Sequence, residues 1–425
     1  MKYVFIGGGV ANIYTICYGI MNNIINMKHD EVIVIEKGKH INDRIPTIDI
    51  VNGLLGGGAF SDNKNIFSLH DDQPIFEYIN KQQVLEYYDF LKNKLFKMFL
   101  PENASIHITQ PVETGSKFVS GYGNIALKQS ECYHIGSTLG LEMCKNMIKW
   151  LESKGVTIYC NSTYIPSKLD KCITVRDTNG IESYITYDKL FIGLGRSGMK
   201  DIKETFELNN IKSVADQIHI GFRFECEYNN TIQELANNIQ YDFKFSKNIN
   251  KNHLKELRTF CVNHGTAEVV TEKVKGYSIP IREQANGHAY GLHVKDKWTG
   301  KSNWAILGSF KNVNVEDYLS QIETITNGKI YELNQNSSLE FLNCFDNLGD
   351  SLSEFIKELC DILHIKEWKG YFPEIKIIGP RVSYNNNFTV QDFSKNIFFV
   401  GDSAITRGII PAAVTGIHAL LNWKR

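Results

Sequence analysis

The first 36 residues constrain the fold most. Lys2-Tyr-Val-Phe-Ile6 and Glu31-Val-Ile-Val-Ile-Glu36 are short, nearly continuous apolar runs, the pattern of strands covered on both faces as in a parallel sheet. Between them lie Gly7-Gly8-Gly9 and the helix-compatible stretch from Val10 to Asn26. The order is therefore strand, glycine turn, helix, strand, a βαβ unit. Gly7-Gly8-Gly9-Val10-Ala11-Asn12 is GxGxxG with Asn12 in the last glycine's place. The first glycine permits the tight turn, the second lets backbone approach a pyrophosphate, and the third normally admits close helix–strand packing. A helix starting near Val10 aims its N–H groups and positive dipole end at phosphates. Glu36 ends the second strand, where a carboxylate accepts hydrogen bonds from ribose hydroxyls. The plain alternative for Glu36 is a solvated charge at a strand end. The combination points to a dinucleotide.

The other end of the chain separates FAD from NAD. Asn396-Ile-Phe-Phe-Val-Gly-Asp402 is a buried-strand pattern entering Gly-Asp, followed by Arg407, Gly408 and a helix to about Asn422. In many flavoproteins such an acid binds the ribityl or pyrophosphate region. The helix start beyond it then faces the flavin pyrimidine ring, where a positive end stabilises negative charge on the reduced cofactor. An NAD enzyme has no need of this second piece. The bland reading of Asp402 is a helix cap. Gly193-Leu-Gly195-Arg-Ser-Gly198 also fits GxGxxG and follows the apolar run 189–192. A second nucleotide site for NAD(P)H is one reading. The preferred one is the chain leaving the FAD domain close to the cofactor, because no apolar strand ending in an acid follows at the required distance.

Between these pieces the pattern predicts helices over 83–99 and 137–154, with Gly155 as a C-terminal cap, and a hairpin of strands near 172–176 and 182–186 about Asp177-Thr-Asn-Gly180. From about 205 to 378 polar and apolar residues alternate, with strands at 218–226 and 303–310 and helices near 315–326 and 352–363. The expected fold is α/β: a doubly wound, Rossmann-like FAD-binding domain from 1–204 plus 379–425, and an inserted mixed α+β substrate domain with an antiparallel sheet over 205–378.

Composition excludes little but is consistent. The 425 residues are 43% hydrophobic and 22% charged, with 46 Lys and Arg against 47 Asp and Glu, so no net field recruits nucleic acid or acidic lipid. The apolar opening is interrupted by glycines and asparagines, and no membrane span is expected. Nine cysteines with no CxxC pair and no metal-ligand spacing read as reduced, mostly buried thiols of a cytoplasmic protein, and no metal is expected.

Five stretches resemble the bacterial and archaeal FAD-dependent dehydrogenases of largely unassigned substrate, among the glutathione-reductase-like flavoproteins. They are Ile6-Gly-Gly-Gly-Val-Ala11; Gly56-Gly-Gly-Ala-Phe-Ser-Asp62 with Lys64; Gly193-Leu-Gly-Arg-Ser-Gly198; Arg258-Thr-Phe-Cys261; and Gly401-Asp-Ser-Ala-Ile-Thr-Arg-Gly408. His134-Ile-Gly-Ser137, Gly221-Phe-Arg-Phe-Glu225 and Ser302-Asn-Trp-Ala305 are weaker echoes. Asn63 stands where the family has glycine, and Val262-Asn-His264-Gly265 replaces a second cysteine and a proline–glycine pair. The resemblance implies FAD contacts from Gly7, Gly8, Gly9, Val10, Ala11, Glu36 and Lys37. It implies further contacts from the loop Gly57, Gly58, Ala59, Phe60, Ser61 and Asp62, from Gly195 and Arg196, and from Gly401 and Asp402 through Arg407, Gly408, Ile409 and Ile410.

On the substrate side the candidates are Arg223, Cys261, His264 and Lys64. Cys261 with His264 nearby in sequence suits a redox or proton-donating thiol, against the plainer buried strand cysteine. Arg223 suits a substrate anion, or an ion pair with Glu225 two residues on. Lys64 lies by the flavin edge or is simply solvated. The implied activity is an FAD-dependent oxidoreductase, a dehydrogenase or reductase acting on a small or medium organic molecule. NAD(P)H or another carrier is a transient electron donor. A flavin monooxygenase and a non-catalytic redox sensor or scaffold are the alternatives.

Overall fold

The computed structural model describes residues 1–45, 49, 52–70, 73–273, 283–290 and 295–423. The chain forms two compact units, one of Met1–Ala104, Ser137–Val214 and Gly379–Arg425, the other of Ser105–Gly136 and Ala215–Ile378. Residues 105–136 thus group with the middle of the chain.

The first unit is built on a five-stranded sheet of Lys2–Ile6 (β1), Glu31–Ile35 (β2), Thr157–Tyr159 (β3), Lys189–Ile192 (β4) and Ile397–Phe399 (β5), in the order β5-β4-β1-β2-β3. Each neighbouring pair is parallel. β4 is buried along its whole length and β1 over its last four residues, which is why both read as apolar runs after an opening lysine. Phe5, Phe191 and Phe398 stack across the adjacent strands β1, β4 and β5 with centroids 4.8 and 4.7 Å apart. Val10–Met21 (α1) connects β1 to β2, and Ile409–Asn422 (α2) follows β5. Both helices are apolar nearly all round and buried. Gly19 of α1 and Gly416 of α2 let them cross closely: a Cβ at 19 would stand 2.9 Å from Leu420 Cδ2, and one at 416 would run into Thr15.

The second unit centres on a seven-stranded antiparallel sheet. Its order is Tyr331–Asn334, Trp368–Ile377, Gln217–Glu227, Lys301–Lys311, Leu254–Gly265, Lys244–Lys251 and Ile125–Lys128. Along 217–227 the period is two: Ile218, Ile220, Phe222 and Phe224 fall on one face, His219, Arg223 and Glu225 on the other. The apolar face joins a core that includes residues of the helices Asn230–Asn238, Val315–Thr326 and Leu348–Leu363. Phe224 stacks there between Trp304 and Trp368 at 4.9 and 5.2 Å. The two-stranded sheet of Ala267–Lys273 and Glu283–Ala289 brings Gly287 against the polar face. A Cβ there would lie within 2.7 Å of Asn303 Oδ1, Asn263 Nδ2 and Arg223 Nη1.

The cysteines are less buried than composition suggests. Cys17, Cys132, Cys144 and Cys226 are buried, whereas Cys261 and Cys344 are exposed.

Candidate functional site

Within the first unit the four glycine-bearing turns converge where the parallel strands end. Gly7 has φ +89°, its amide donates to Ile35 O at 2.8 Å, and a Cβ there would lie 2.6 Å from Gly193 O. Gly8 is equally confined, since a Cβ would meet Leu54 Cδ2 at 2.6 Å. The buried carboxylate of Glu36 accepts from Gly8 N at 2.8 Å and Gly38 N at 2.7 Å, locking the end of β2 onto the turn. Each carboxylate oxygen has more than one acceptor direction, so these bonds leave capacity for hydroxyls.

Asn12, in the third-glycine position, is fully buried and donates through Nδ2 to the carbonyls of Ile6 and Gly7 at 2.9 and 2.8 Å. The room that a glycine at 12 would have left is supplied at residue 193. A Cβ on Gly193 would stand 2.8 Å from Asn12 Nδ2. The departure from GxGxxG is thereby compensated on the neighbouring strand.

The segment Gly56–Ser61 is a short helix beside this turn. Leu55 enters it at φ +70°, its amide donating to Gly8 O at 2.6 Å, and Gly9 and Leu55 form a parallel bridge. Asn63 adopts φ +46°, a left-handed conformation that asparagine tolerates where glycine is the usual choice, and its Nδ2 donates to Ala59 O at 3.0 Å. Ser61 O accepts from the Ser137 hydroxyl. Lys64 is buried and pairs with Asp62 at 3.3 Å, so it is not the solvated lysine of the plain reading.

β4 enters Gly193-Leu-Gly195, a 3-10 turn over Arg196–Gly198 and the helix Met199–Leu208. The next strand, 217–227, belongs to the antiparallel sheet, so no second βαβ unit follows. Lys37 Nζ reaches Ser197 O at 2.6 Å, tying the end of β2 to this turn. Gly401 has φ +62°, and its amide donates to Thr415 Oγ1 at 2.8 Å. A Cβ there would stand 3.0 Å from Ala11 Cβ, so the turn after β5 packs on the first turn of α1. Ser403 Oγ donates to Leu194 O at 2.8 Å. Asp402 faces Arg407 Nε at 3.5 Å, and Gly408, at φ +102°, precedes α2. Gly58 lies close to Ile409: a Cβ there would stand 3.2 Å from Ile409 Cγ1, tighter than ordinary van der Waals contact.

Sequence reasoning missed one residue, Arg44. It is buried and donates to the carbonyls of Leu54, Gly56 and Asp49, with its guanidinium 3.6 Å from the Phe60 ring centre. Burial pulls its pKa down to about 10, which leaves it charged at neutral pH. An arginine in a loop carries no periodic signal; only the nearby Gly53, whose Cβ would press on Arg44 Cδ at 2.6 Å, hints at the close passage.

The other three substrate-side candidates lie in the second unit. Arg223 is fully buried and paired with Glu374, Nε to Oε2 at 2.9 Å, and it also donates to Cys261 O at 2.9 Å. Its partner is therefore not Glu225, which pairs with Lys301 at 2.9 Å. Residues two apart on one strand are about 7 Å apart, farther than cross-strand partners at about 5 Å, so the neighbouring strands supply both counter-ions. His264 is buried with Nδ1 against Ser302 Oγ and Nε2 against Tyr241 O, both at 2.9 Å, a structural histidine. Cys261 is not the buried strand cysteine of the plain reading. It is exposed, at φ +50° in a register shift of its strand, with Sγ 3.4 Å from Lys376 Nζ. Among the described residues no group of three or more His, Cys, Asp and Glu suits a metal ion, and no helix is long and apolar enough to cross a membrane.

No family model and no curated protein matches the chain. Among solved structures it is similar, over 100% of its length, to a geranylgeranyl bacteriochlorophyll reductase-like protein of Thermoplasma acidophilum at 11% identity and a TM-score of 0.44, spanning 77% of that chain. Glycine oxidase from Bacillus cereus aligns over 100% of this chain and 94% of its own, at 10% identity and a TM-score of 0.40. The Diels-Alderase PyrE3 of pyrroindomycin biosynthesis aligns over 99% of this chain at 9% identity and a TM-score of 0.42. The chain spans 64% of its length, less than two thirds.

Proposed function

We propose that the first unit binds FAD and that the protein is an FAD-dependent oxidoreductase. The observation that carries this reading is the pair Gly9 and Gly195. Both have ordinary backbone angles, φ −75° and −84°, that any residue adopts. Among the described residues a Cβ would meet nothing nearer than 3.9 Å at Gly9 and nothing within 4 Å at Gly195. The protein's own packing therefore does not demand glycine at either position, whereas a ligand lying against both backbones does. Arg407 adds a second sign of fit: its Nη1 is buried with no hydrogen-bond partner among the described residues, as suits a donor kept for an anionic or carbonyl group.

The turn Gly7–Gly9 with Val10 and Ala11 would hold the pyrophosphate at the start of α1, and Glu36 the ribose. The segment 57–62, Gly195-Arg196 and the run Gly401-Asp402 to Ile410 would line the remainder. FAD supplies the electron chemistry; these residues bind it, orient it and bias the charge around it. The narrower reading, a dehydrogenase or reductase passing hydride or electrons to or from a small or medium organic molecule, is supported by the family resemblance of the five stretches. Arg223 and His264 are engaged by internal partners and are not assigned to substrate.

The test begins with the purified protein and added FAD, read by the visible flavin spectrum. A protein that retains no FAD refutes the proposal. The flavoprotein is then reduced anaerobically with NADH or NADPH and exposed to oxygen. Slow reoxidation without oxygenated product is expected; rapid substrate-dependent oxygen uptake with a hydroxylated product would replace the dehydrogenase by a monooxygenase.

A further inference from the structure

An arginine beside a phosphate-binding turn invites the role of phosphate ligand. Arg44 spends its donors otherwise. Nη1 donates to Leu54 O and to Gly56 O at 3.1 Å, Nε and Nη2 to Asp49 O at 3.2 and 2.7 Å. The face of the fork lies on Phe60. Two of these acceptors flank Leu55, the residue whose amide bonds Gly8 O and which bridges to Gly9. Leu55 and Gly56 are both in the left-handed region, φ +70° and +68°; glycine adopts it freely, but for Leu55 it is a costly conformation that needs outside support. Gly53, at φ +127°, has no side chain where the Arg44 stem passes.

We propose that Arg44 is a positioning residue. It clamps Leu54–Phe60 against the Gly7–Gly9 turn, so that the adenosine-diphosphate half of the flavin site exists before the ligand arrives. This rests on the FAD reading above. A planar fork satisfies three carbonyls at once, which a lysine ammonium cannot do in the same geometry. The clamp lowers the ordering cost of binding and acts on every part of the ligand that touches the segment. A direct phosphate contact would act on phosphate alone.

The experiment uses the full-length apoprotein and three probes: FAD, ADP and adenosine, the last by competition with FAD. Arg44→Met and Arg44→Lys are compared with wild type below their melting temperatures. In Arg44→Met all three affinities are expected to fall in parallel, by about tenfold or more, as for loss of preorganisation. Arg44→Lys should not restore them. Gly53→Ala, which pushes on the arginine stem, should reproduce the loss and replaces Arg44→Met should that variant not fold. Retained adenosine affinity with weakened ADP and FAD would overturn the clamp in favour of a phosphate ligand, as would rescue by lysine. A lowered melting temperature with unchanged affinities would reduce Arg44 to a stabilising residue and also overturn it. Wild type that binds neither FAD nor ADP would instead bring down the flavin reading itself.

Discussion

At the scale of single residues, the site is shaped by glycines that fall into two kinds. Gly7, Gly8, Gly193 and Gly401 are glycines because the protein crowds them; Gly9 and Gly195 are glycines with room to spare. The first kind is testable by stability. Gly193→Ala places a methyl 2.8 Å from Asn12 Nδ2 and is expected to cost about 1–3 kcal/mol in urea unfolding, as overpacking does. Adding Asn12→Gly opens the space and should recover part of that loss, a positive coupling in a double-mutant cycle. Additive losses would show that the two residues do not compensate each other. Asn12 was readable in the sequence only as a defect in the motif. Its partner lies 181 positions away and becomes its neighbour only because β4 pairs with β1.

At the scale of elements, the 217–227 strand shows what alternation can and cannot reveal. Its period of two was plain, and so was the presence of a charged residue on the face opposite Ile220 and Phe222. The identity of the counter-ion was not, because adjacent strands decide it. Gly221 pairs with Glu374 and Arg223 with Tyr371 across a register shift, which brings the Glu374 carboxylate to Arg223. Arg223→Met alone leaves that buried carboxylate with only the more distant Lys376, at 3.9 Å, as counter-ion and is expected to cost about 3 kcal/mol. Arg223→Met combined with Glu374→Leu should cost much less, since neither charge remains to be desolvated. Equal losses in the single and double variants, measured by urea unfolding, would mean that the pair is held by shape rather than by charge.

At the scale of the whole molecule, cofactor binding and stability are linked. A ligand that binds only the folded state stabilises it by about 2.7 kcal/mol when present at 100 times its Kd. Calorimetric melting with rising FAD should therefore move to higher temperature, while FMN, which lacks the adenosine half, should move it less. Equal shifts with the two would place the main contacts on the flavin mononucleotide rather than on Gly7–Gly9 and Glu36.

The local pattern by itself determined the strands 2–6, 31–35 and 189–192, the helix that follows the first of them, and the 315–326 helix, because burial on both faces and helical periodicity are written in consecutive residues. It also marked the glycine turns, since only glycine reaches φ +89° or +62° without strain. Tertiary structure alone decided which turns meet. The parallel order β5-β4-β1-β2-β3 sets residues 7, 193 and 401 side by side, and no short-range signal encodes the register of strands hundreds of residues apart. The same holds for residues 105–136, whose strand Ile125–Lys128 completes an antiparallel sheet formed by the middle of the chain. It holds most of all for Arg44. Its meaning lies in the carbonyls it reaches, and a backbone carbonyl looks the same at every position of a sequence.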